Sequence, residues 1–354
     1  MKNKLYINGI ASISAQAGNA VFSDSIAEYH QNIIPAIAPN YKEFITATAL
    51  RRMSGAIKMG LTAAKIALKD AGTSMPDAII TGTGQGCQQD TEKFLKAMLV
   101  QNEAFVSPTA FIQSTHNTVG GQIALNLKCR AYNVTYTQNS GSLESALIDV
   151  QLQFLEQPVP ETILVGGVDE ISEKITSFLY LDGQLKQEET YNLDLFKTGS
   201  PGSITSEGAH FFSISSVKSS ETYAGLLDVL VFNSNTSEEV SERINRFLKE
   251  NHLTEDAIEL VILGNNGDSR YDHFYTPLQD EIFRNKTQLG YKHLVGDYNT
   301  VSGYAVWLAC NILKNGEIPE ICKLNSVPIE KPKNILIYNQ YLGENHSIIL
   351  LSSR

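Results

Sequence analysis

Strand-like and helix-like patterns alternate along this 354-residue chain, and the alternating series occurs twice. The first series contains expected strands at residues 5–13, 78–81, 162–168 and 211–217. The second, shorter series begins near Ala224, with expected strands at 226–232, 260–264, 335–338 and 347–351 and helices at 237–251 and 302–313. Alternating strands and helices are typical of an α/β architecture. The sequence therefore predicts two similar α/β halves packed together, over residues 1–222 and 223–354.

A strand–turn–helix segment lies near the middle of the first series. Residues 134–147 read V-T-Y-T-Q-N-S-G-S-L-E-S-A-L, which predicts a buried strand, a tight turn at Ser140-Gly141 and a helix. An elbow of this kind presents a side chain at the end of a sheet beside a helix N-terminus, where many enzymes hold a nucleophile. Two positions before the Ser-Gly pair stands Gln138, whose carboxamide cannot form a thioester.

The first series also contains an expected long helix over 41–71 and a glycine-rich loop at 82–86. No Gly-Lys-Ser/Thr follows the loop, so it is not a phosphate-binding P-loop. Cys87 comes directly after it and precedes an expected helix at 90–100, a position in which a thiol pKa can fall. Cys87 is thus a second candidate nucleophile, weighed against an inert buried cysteine.

Charge and cysteine content exclude several classes of function. The formal charge of −10 and the pI near 5.3 argue against nonspecific binding to nucleic acid or to an anionic membrane. No apolar run reaches the roughly 20 residues that a membrane span needs. The four cysteines form no C-x-x-C motif and no cluster with histidine. We expect a reduced, cytoplasmic protein with no metal and no cofactor.

Six further motifs, in order along the chain, resemble those of the β-ketoacyl synthases, whose nucleophilic cysteine occupies the elbow position of Gln138. They are Arg51-Arg52-Met53-Ser54, Thr81-Gly82-Thr83-Gly84, Gly166-Gly167-Val168-Asp169-Glu170, Glu207-Gly208-Ala209, Lys292 to Gly296, and Gln340-Tyr341-Leu342-Gly343-Glu344-Asn345. The resemblance covers nearly the whole chain. It implies a thiolase-like fold in which two similar halves form a layered αβαβα sandwich.

The resemblance also implies that all three catalytic side chains are missing. A ketosynthase uses a cysteine thiolate and two histidines that stabilise the enolate and the oxyanion. Gln138 takes the position of the cysteine. Asn266 takes that of the first histidine, with Asn265 as the alternative alignment, and Asp297 takes that of the second. An aspartate there would repel a malonyl carboxylate.

The resemblance gives specific expectations for several retained or substituted positions. Gln138 either fills the space of the lost thiol or bonds across the elbow and seals the end of a tunnel. Lys292 is expected to form a salt bridge with Asp297 or Glu207 rather than to act in catalysis. His116 is a candidate contact to a partner subunit or to a chain in the pocket. Tyr341 stands at the family's gating phenylalanine and is expected to pack against the pocket floor.

By this resemblance the chain is similar to a chain length factor, an inactive subunit that pairs with an active ketosynthase and, through it, serves an acyl carrier protein. The pocket and interface residues are then expected at 105–118 and 135–139, including Thr137, Gln138 and Asn139. The compact chain and the F-I-Q-S-T-H-N-T segment at 111–118 resemble subunits of aryl polyene and flexirubin-type pigment pathways. Three alternatives stay open: a condensing or acyl-transfer enzyme that uses Cys87, a malonyl decarboxylase that uses Gln138, and a homodimer that binds an acyl ligand.

Overall fold

The computed structural model describes residues 4–23, 25–104, 107–156 and 159–354. Its strands are β1 (Leu5–Ile13), β2 (Ile33–Ile34), β3 (Ala78–Gly82), β4 (Tyr132–Tyr136), β5 (Thr162–Asp169), β6 (Thr205–Ser206), β7 (Gly208–Ser215), β8 (Ala224–Asn233), β9 (Leu260–Leu263), β10 (Thr287–Gly290), β11 (Asn334–Tyr341) and β12 (Asn345–Ser352). Its α-helices are α1 (Ala47–Leu50), α2 (Gly55–Asp70), α3 (Gln88–Val100), α4 (Pro108–Gln113), α5 (Thr118–Leu127), α6 (Ser142–Gln153), α7 (Glu173–Leu181), α8 (Ser237–Glu250), α9 (Lys292–Val295) and α10 (Ser302–Asn315). None of these helices is long and apolar enough to cross a membrane.

Ten of the described strands form one sheet, in the order β10-β9-β11-β12-β8-β1-β7-β5-β3-β4. A short antiparallel contact between β1 and β8 joins two five-stranded halves. In each half the outer strands pair in parallel, β3 with β4 and β5, and β9 with β10 and β11. The strands nearer the junction pair antiparallel, β7 with β5 and β1, and β12 with β11 and β8. The repeated pattern confirms two similar α/β halves, while the division at 222/223 stays a prediction.

Helices cover both halves and fill the space between them. The largest core cluster combines α6 and α10 with one face of the strands of both halves. A second cluster packs α2 and part of α5 on the opposite face of the first half, and a third packs α8 on that of the second half. The central helix α10 is buried from Ser302 to Leu313, as a helix enclosed on all sides must be. This order of layers confirms the predicted αβαβα sandwich.

Local sequence explains where the outer helix α8 begins and which side it buries. Thr236 precedes it and accepts a hydrogen bond from the Glu239 backbone N–H (3.3 Å), which satisfies one of the free donors at a helix start. The buried residues of α8 are spaced at helical intervals and form a single stripe; they are Val240, Ile244, Phe247 and Leu248.

The expectation of one long helix over 41–71 is wrong. The segment contains a 3-10 turn at Tyr41–Glu43, the short α1 and then α2, with a non-helical break at residues 51–54. Ser54 has an extended backbone (φ −70°, ψ 175°), and the Glu170 carboxylate accepts a hydrogen bond from the Ala56 N–H (2.7 Å). Because this carboxylate satisfies a free donor of the first turn, the helix begins here rather than at Tyr41.

The elbow strand β4 differs from its expectation as well. It was expected to be buried, but it is the outermost strand of the sheet, and Tyr132 is 41% exposed. The helix α6 that follows it packs closely on β3, because a Cβ on Gly82 would lie 2.6 Å from the Ser142 carbonyl oxygen. The predicted strand–turn–helix is therefore present, and within the described residues its strand β4 pairs on one side only, with β3.

Candidate functional site

A cavity of about 100 Å³ opens where the carboxyl ends of strands from both halves meet. This is the edge of a parallel sheet at which α/β proteins bind ligands. The lining comes from the ends of β3, β5, β9 and β11 and the segments after them, from α7 and the segment after it, from β6, and from the segment after α9. It comprises Gln85, Gly86, Gln88, Asp169, Glu170, Ile171, Ser172, Ile175, Thr176, Leu179, Gln184, Leu185, Ser203, Ile204, Thr205, Ser206, Asn266, Asp268, Tyr271, Asp297, Tyr298, Asn299, Tyr341 and Leu342.

Asp297 lines this cavity and is held in place by two side chains. Lys292 Nζ lies 2.9 Å from Asp297 Oδ1, and Asn266 Nδ2 donates to Asp297 Oδ2 at 2.9 Å. Lys292 is only 2% exposed, whereas the Asp297 side chain is 22% exposed. Of the two partners expected for Lys292, the structure shows Asp297; Glu207 instead accepts the backbone N–H of Ile171 (2.9 Å).

The loop that carries Asn266 is fixed by a buried lysine that the sequence analysis did not identify. Lys186 Nζ donates to the Gly267 carbonyl (2.7 Å) and to the Ser200 carbonyl (2.7 Å). Ser203 Oγ donates to the Asn266 carbonyl at 2.6 Å. Burial lowers the pKa of Lys186. No motif marks this lysine, since its hydrogen bonds go to backbone carbonyls distant in sequence.

Asp169, which also lines the cavity, connects the two halves. Its Oδ1 accepts hydrogen bonds from Thr83 Oγ1 (3.0 Å) and the Gly84 N–H (2.8 Å). Its Oδ2 accepts from the backbone N–H and the hydroxyl of Thr300, both at 2.8 Å. Burial raises the pKa of Asp169, although all four donors favour its charged form. The carboxylate therefore ties the glycine-rich loop to the start of α10.

The neighbouring Glu170 joins two helix N-termini. Its carboxylate accepts the Ala56 N–H at the start of α2 (2.7 Å) and the Gln89 N–H at the start of α3 (2.9 Å). Burial is the largest effect on this group and raises its pKa from 4.5 to about 7. Glu170 was part of a predicted motif, but this capping role could not be read from the motif.

Gln138 does not line the cavity. It is exposed at the elbow, where its backbone N–H donates to Ser142 Oγ (2.8 Å) and its Oε1 accepts from Ser145 Oγ (2.8 Å). The flanking Thr137 and Asn139 are exposed as well, and Asn139 has a positive φ of 45°. The amide thus bonds across the elbow on the outer surface of this chain.

The other predicted site residues divide into two groups. Asn266, Asp297 and Tyr341 surround the cavity, and burial raises the pKa of Tyr341. Asn265, the alternative to Asn266, is not in the described lining. His116 is exposed and lies against the glycine-rich loop, since a Cβ on Gly86 would lie 2.9 Å from the His116 Cα.

Cys87 is unsuited to act as a nucleophile. It is fully buried, and this burial raises the pKa of its thiol to about 12. The possibility that its place before α3 lowers the pKa is therefore contradicted, because desolvation of the thiolate outweighs the helix N-terminus. His210 is likewise buried, between Ser12 Oγ (3.0 Å) and the Tyr298 hydroxyl (2.6 Å), and burial lowers its pKa to about 3.

The chemistry available at the cavity follows from its lining. Among the described residues that line it there is no cysteine and no histidine. The groups present are carboxamides, carboxylates, hydroxyls and apolar side chains, which bind and orient a ligand but do not supply a thiolate or an imidazole. No three His, Cys, Asp or Glu side chains in the described part of the chain form a metal-binding group.

Comparisons with known proteins agree with this architecture. Residues 27–187 match the family model described as "Beta-ketoacyl synthase, N-terminal domain". No curated protein sequence matches the chain. Among solved structures, the chain is similar over 100% of both chains to "The ishigamide ketosynthase/chain length factor" (TM-score 0.81, 15% identity).

Two further solved structures are similar to this chain over nearly their full length. A β-ketoacyl synthase from Burkholderia phymatum STM815 is matched over 100% of both chains (TM-score 0.82, 14% identity). The complex of the ketosynthase ApeO with its chain length factor ApeC from Xenorhabdus doucetiae is matched over 99% of this chain and 98% of that one (TM-score 0.76, 14% identity). At these identities the likeness shows the shared fold. Residues 27–187 therefore match a β-ketoacyl synthase N-terminal domain, and the described part of the chain shares the thiolase-like fold of these ketosynthase structures.

Proposed function

We propose that this chain is a catalytically inactive ketosynthase-like subunit of the chain-length-factor type. One observation supports this most strongly: the described cavity lining holds Asn266 and Asp297 at the predicted histidine positions and contains no cysteine. Condensation needs a thiolate to carry the acyl chain and positive or hydrogen-bond-donating groups for the enolate. Asp297 places a carboxylate where that negative charge would develop.

The proposed partner is an active β-ketoacyl-ACP synthase, which would receive chains from an acyl carrier protein. An exposed apolar surface on α3 and α4 supports pairing. Leu99 of α3 is 80% exposed and Phe111 of α4 is 57% exposed, and the two helices meet through the Phe94 and Phe111 rings at 5.4 Å. Such patches, like open sheet edges, are typical of surfaces that another chain covers. Phe105 and Val106, within the predicted pocket segment, lie outside the described residues.

The biosynthetic pathway is the most specific part of the proposal. We place the subunit in a cytoplasmic type II synthase that makes a polyketide, an aryl polyene or flexirubin-type pigment, or a fatty-acid-like chain. The support is the order of ketosynthase motifs, the segment at 111–118, and the similarity to structures described as ketosynthase–chain length factor assemblies.

Co-expression with each neighbouring ketosynthase, with only the partner tagged, tests the pairing. We expect a stable 1:1 complex by mass measurement of the purified material. Leu99→Asp should weaken this complex, because it places a charge on the apolar surface. Val217→Asp is the matched control, since Val217 is 67% exposed in the segment that follows β7, outside α3 and α4. A persistent homodimer with every candidate partner would contradict the proposal.

The three alternatives have less support from the geometry. Cys87 is buried and its pKa is about 12, which disfavours acyl transfer. Gln138 is exposed and outside the described lining, which disfavours a decarboxylase there. Treatment of the purified chain with an acyl-thioester or cerulenin-like probe tests for a nucleophile; labelling of any cysteine would favour an enzyme. Size measurement with and without the partner distinguishes the acyl-binding homodimer.

A further inference from the structure

The lining of the cavity combines two kinds of side chain. The apolar ones, called the apolar wall below, are Ile171, Ile175 and Leu179 from β5–α7 together with Leu185 and Leu342. The polar ones include Gln85, Ser206, Asn266, Asp297 and Asn299. A ligand that contacts both kinds needs a polar end and an apolar body.

The polar end of the cavity offers hydrogen-bond acceptors. Asp297 Oδ1 takes one donor from Lys292 and Oδ2 takes one from Asn266, so each oxygen keeps a further lone pair. The carboxylate is 22% exposed, whereas the lysine behind it is 2% exposed. An incoming group therefore meets the carboxylate first and has little direct access to the ammonium. Donors are attracted to this end and anions are repelled.

The size of the cavity restricts the ligand further. A water molecule needs about 10–15 Å³ of such volume, so a cavity of about 100 Å³ accepts several waters or a small organic group. A fully extended long acyl chain exceeds this space. The ligand end that enters is therefore short.

We propose that this cavity binds a small amphiphile whose polar end carries N–H donors, as in a carboxamide or an ammonium group, and that it rejects the isosteric carboxylate. The donor end lies at Asp297 and the apolar body lies along α7. The inference goes beyond the proposed subunit function and does not depend on it, because the residues that form the site belong to one chain.

Titration of the purified chain with butyramide, butyrate and butylammonium at pH 7, followed by saturation-transfer NMR, tests the proposal. Butyramide and butyrate have the same shape and differ in donor capacity and charge. We expect butyramide and butylammonium to bind with dissociation constants on the order of 1–10 mM, typical of ligands with so few atoms. Butyrate should bind at least about tenfold more weakly. Equal or tighter binding of butyrate, or no binding of butyramide, overturns the proposal.

Two variants locate the site. Ile175→Trp fills the apolar wall without touching the ion pair and should abolish butyramide binding, whereas Phe178→Trp, on the exposed side of the same helix, should not. Asp297→Asn should remove the discrimination against butyrate because Lys292 then attracts the anion. If Asp297→Asn does not fold, the binding of the three ligands and the effect of Ile175→Trp still test the proposal. Unchanged butyramide binding by Ile175→Trp would place the ligand elsewhere and refute the proposal, while complex formation with a ketosynthase would be unaffected.

Discussion

The ion pair between Lys292 and Asp297 allows a quantitative prediction. The two charged atoms are 2.9 Å apart, and Lys292 is 2% exposed. At an effective dielectric constant near 20, Coulomb attraction at this distance is about 6 kcal/mol. Removing both charges from water costs several kcal/mol for each ion, so most of that attraction is offset. The intact pair should therefore contribute little net stability, whereas a lone buried ammonium should be strongly unfavourable.

We expect Asp297→Asn to lower the free energy of unfolding by about 3 kcal/mol, at the lower end of the usual range for a broken buried pair because Asp297 is partly exposed. The double variant Lys292→Met/Asp297→Asn should recover most of this loss, because it leaves neither charge of this pair without its partner. Urea unfolding followed by the fluorescence of Trp307, the single tryptophan and 4% exposed, measures both.

A surface pair serves as the control. Lys286 and Asp256 are 3.9 Å apart, and Asp256 is fully exposed, so Asp256→Asn should have no more than a small effect. The reasoning is refuted if Asp297→Asn destabilises no more than Asp256→Asn does. It is also refuted if the losses of unfolding free energy measured for Lys292→Met and for Asp297→Asn separately add up to the loss in the double variant.

Three further outcomes follow from burial and packing. Burial raises the pKa of Glu170 from 4.5 to about 7, so the folded state binds more protons than the unfolded state between these pH values. The resulting contribution to the free energy of unfolding, at most about 3 kcal/mol, is complete below pH 4.5 and is lost as the pH rises through 7. Glu170→Gln should therefore flatten that part of a plot of melting temperature against pH. Of the four cysteines only Cys129 is partly exposed, so mass spectrometry after brief iodoacetamide treatment of the native chain should find it alone alkylated, and rapid alkylation of Cys87 would contradict its burial. Gly84→Ala should destabilise the folded protein by about 1–3 kcal/mol, because the new Cβ overlaps the Asn299 side chain. Gly121→Ala lies in α5 with open space around it and should stabilise the folded protein by about 0.5–1 kcal/mol in the same melting assay.

Much of the fold could be predicted because apolar strands and amphipathic helices have strong local signals. β1 and α8 were predicted almost to the residue. Helix α5 was not, since its first turn contains Gly120 and Gly121, which disfavour helix formation. Tertiary packing overrides this preference: a Cβ on Gly120 would lie 2.9 Å from Asn133 Oδ1, so the glycine allows the helix to approach β4.

The site could be predicted only in part. The order of the motifs led us to expect Asn266, Asp297 and Tyr341 at one site, and all three line the same cavity. They do so because the ends of β9, β11 and their neighbours converge there. Motif order does not determine where a side chain points. Gln138 extends along the surface because Ser145, one helical turn into α6, donates to its amide oxygen. Lys186 and Asp169 act through backbone groups and hydroxyls far away in sequence, and no local pattern reports such partners.

The position of β1 has a consequence for synthesis of the chain. This strand is translated before the other described strands, yet it lies near the middle of the sheet, where Tyr6 pairs with Ser215 and Leu5 with Leu226. At roughly 5–20 residues per second, its partners leave the ribosome about 10–40 s later. Until then the apolar segment L-Y-I-N-G-I-A-S-I has no native strand partner. Productive folding of the first half is therefore delayed until β7 and β8 are made, and holdase chaperones should act on the nascent chain in this interval.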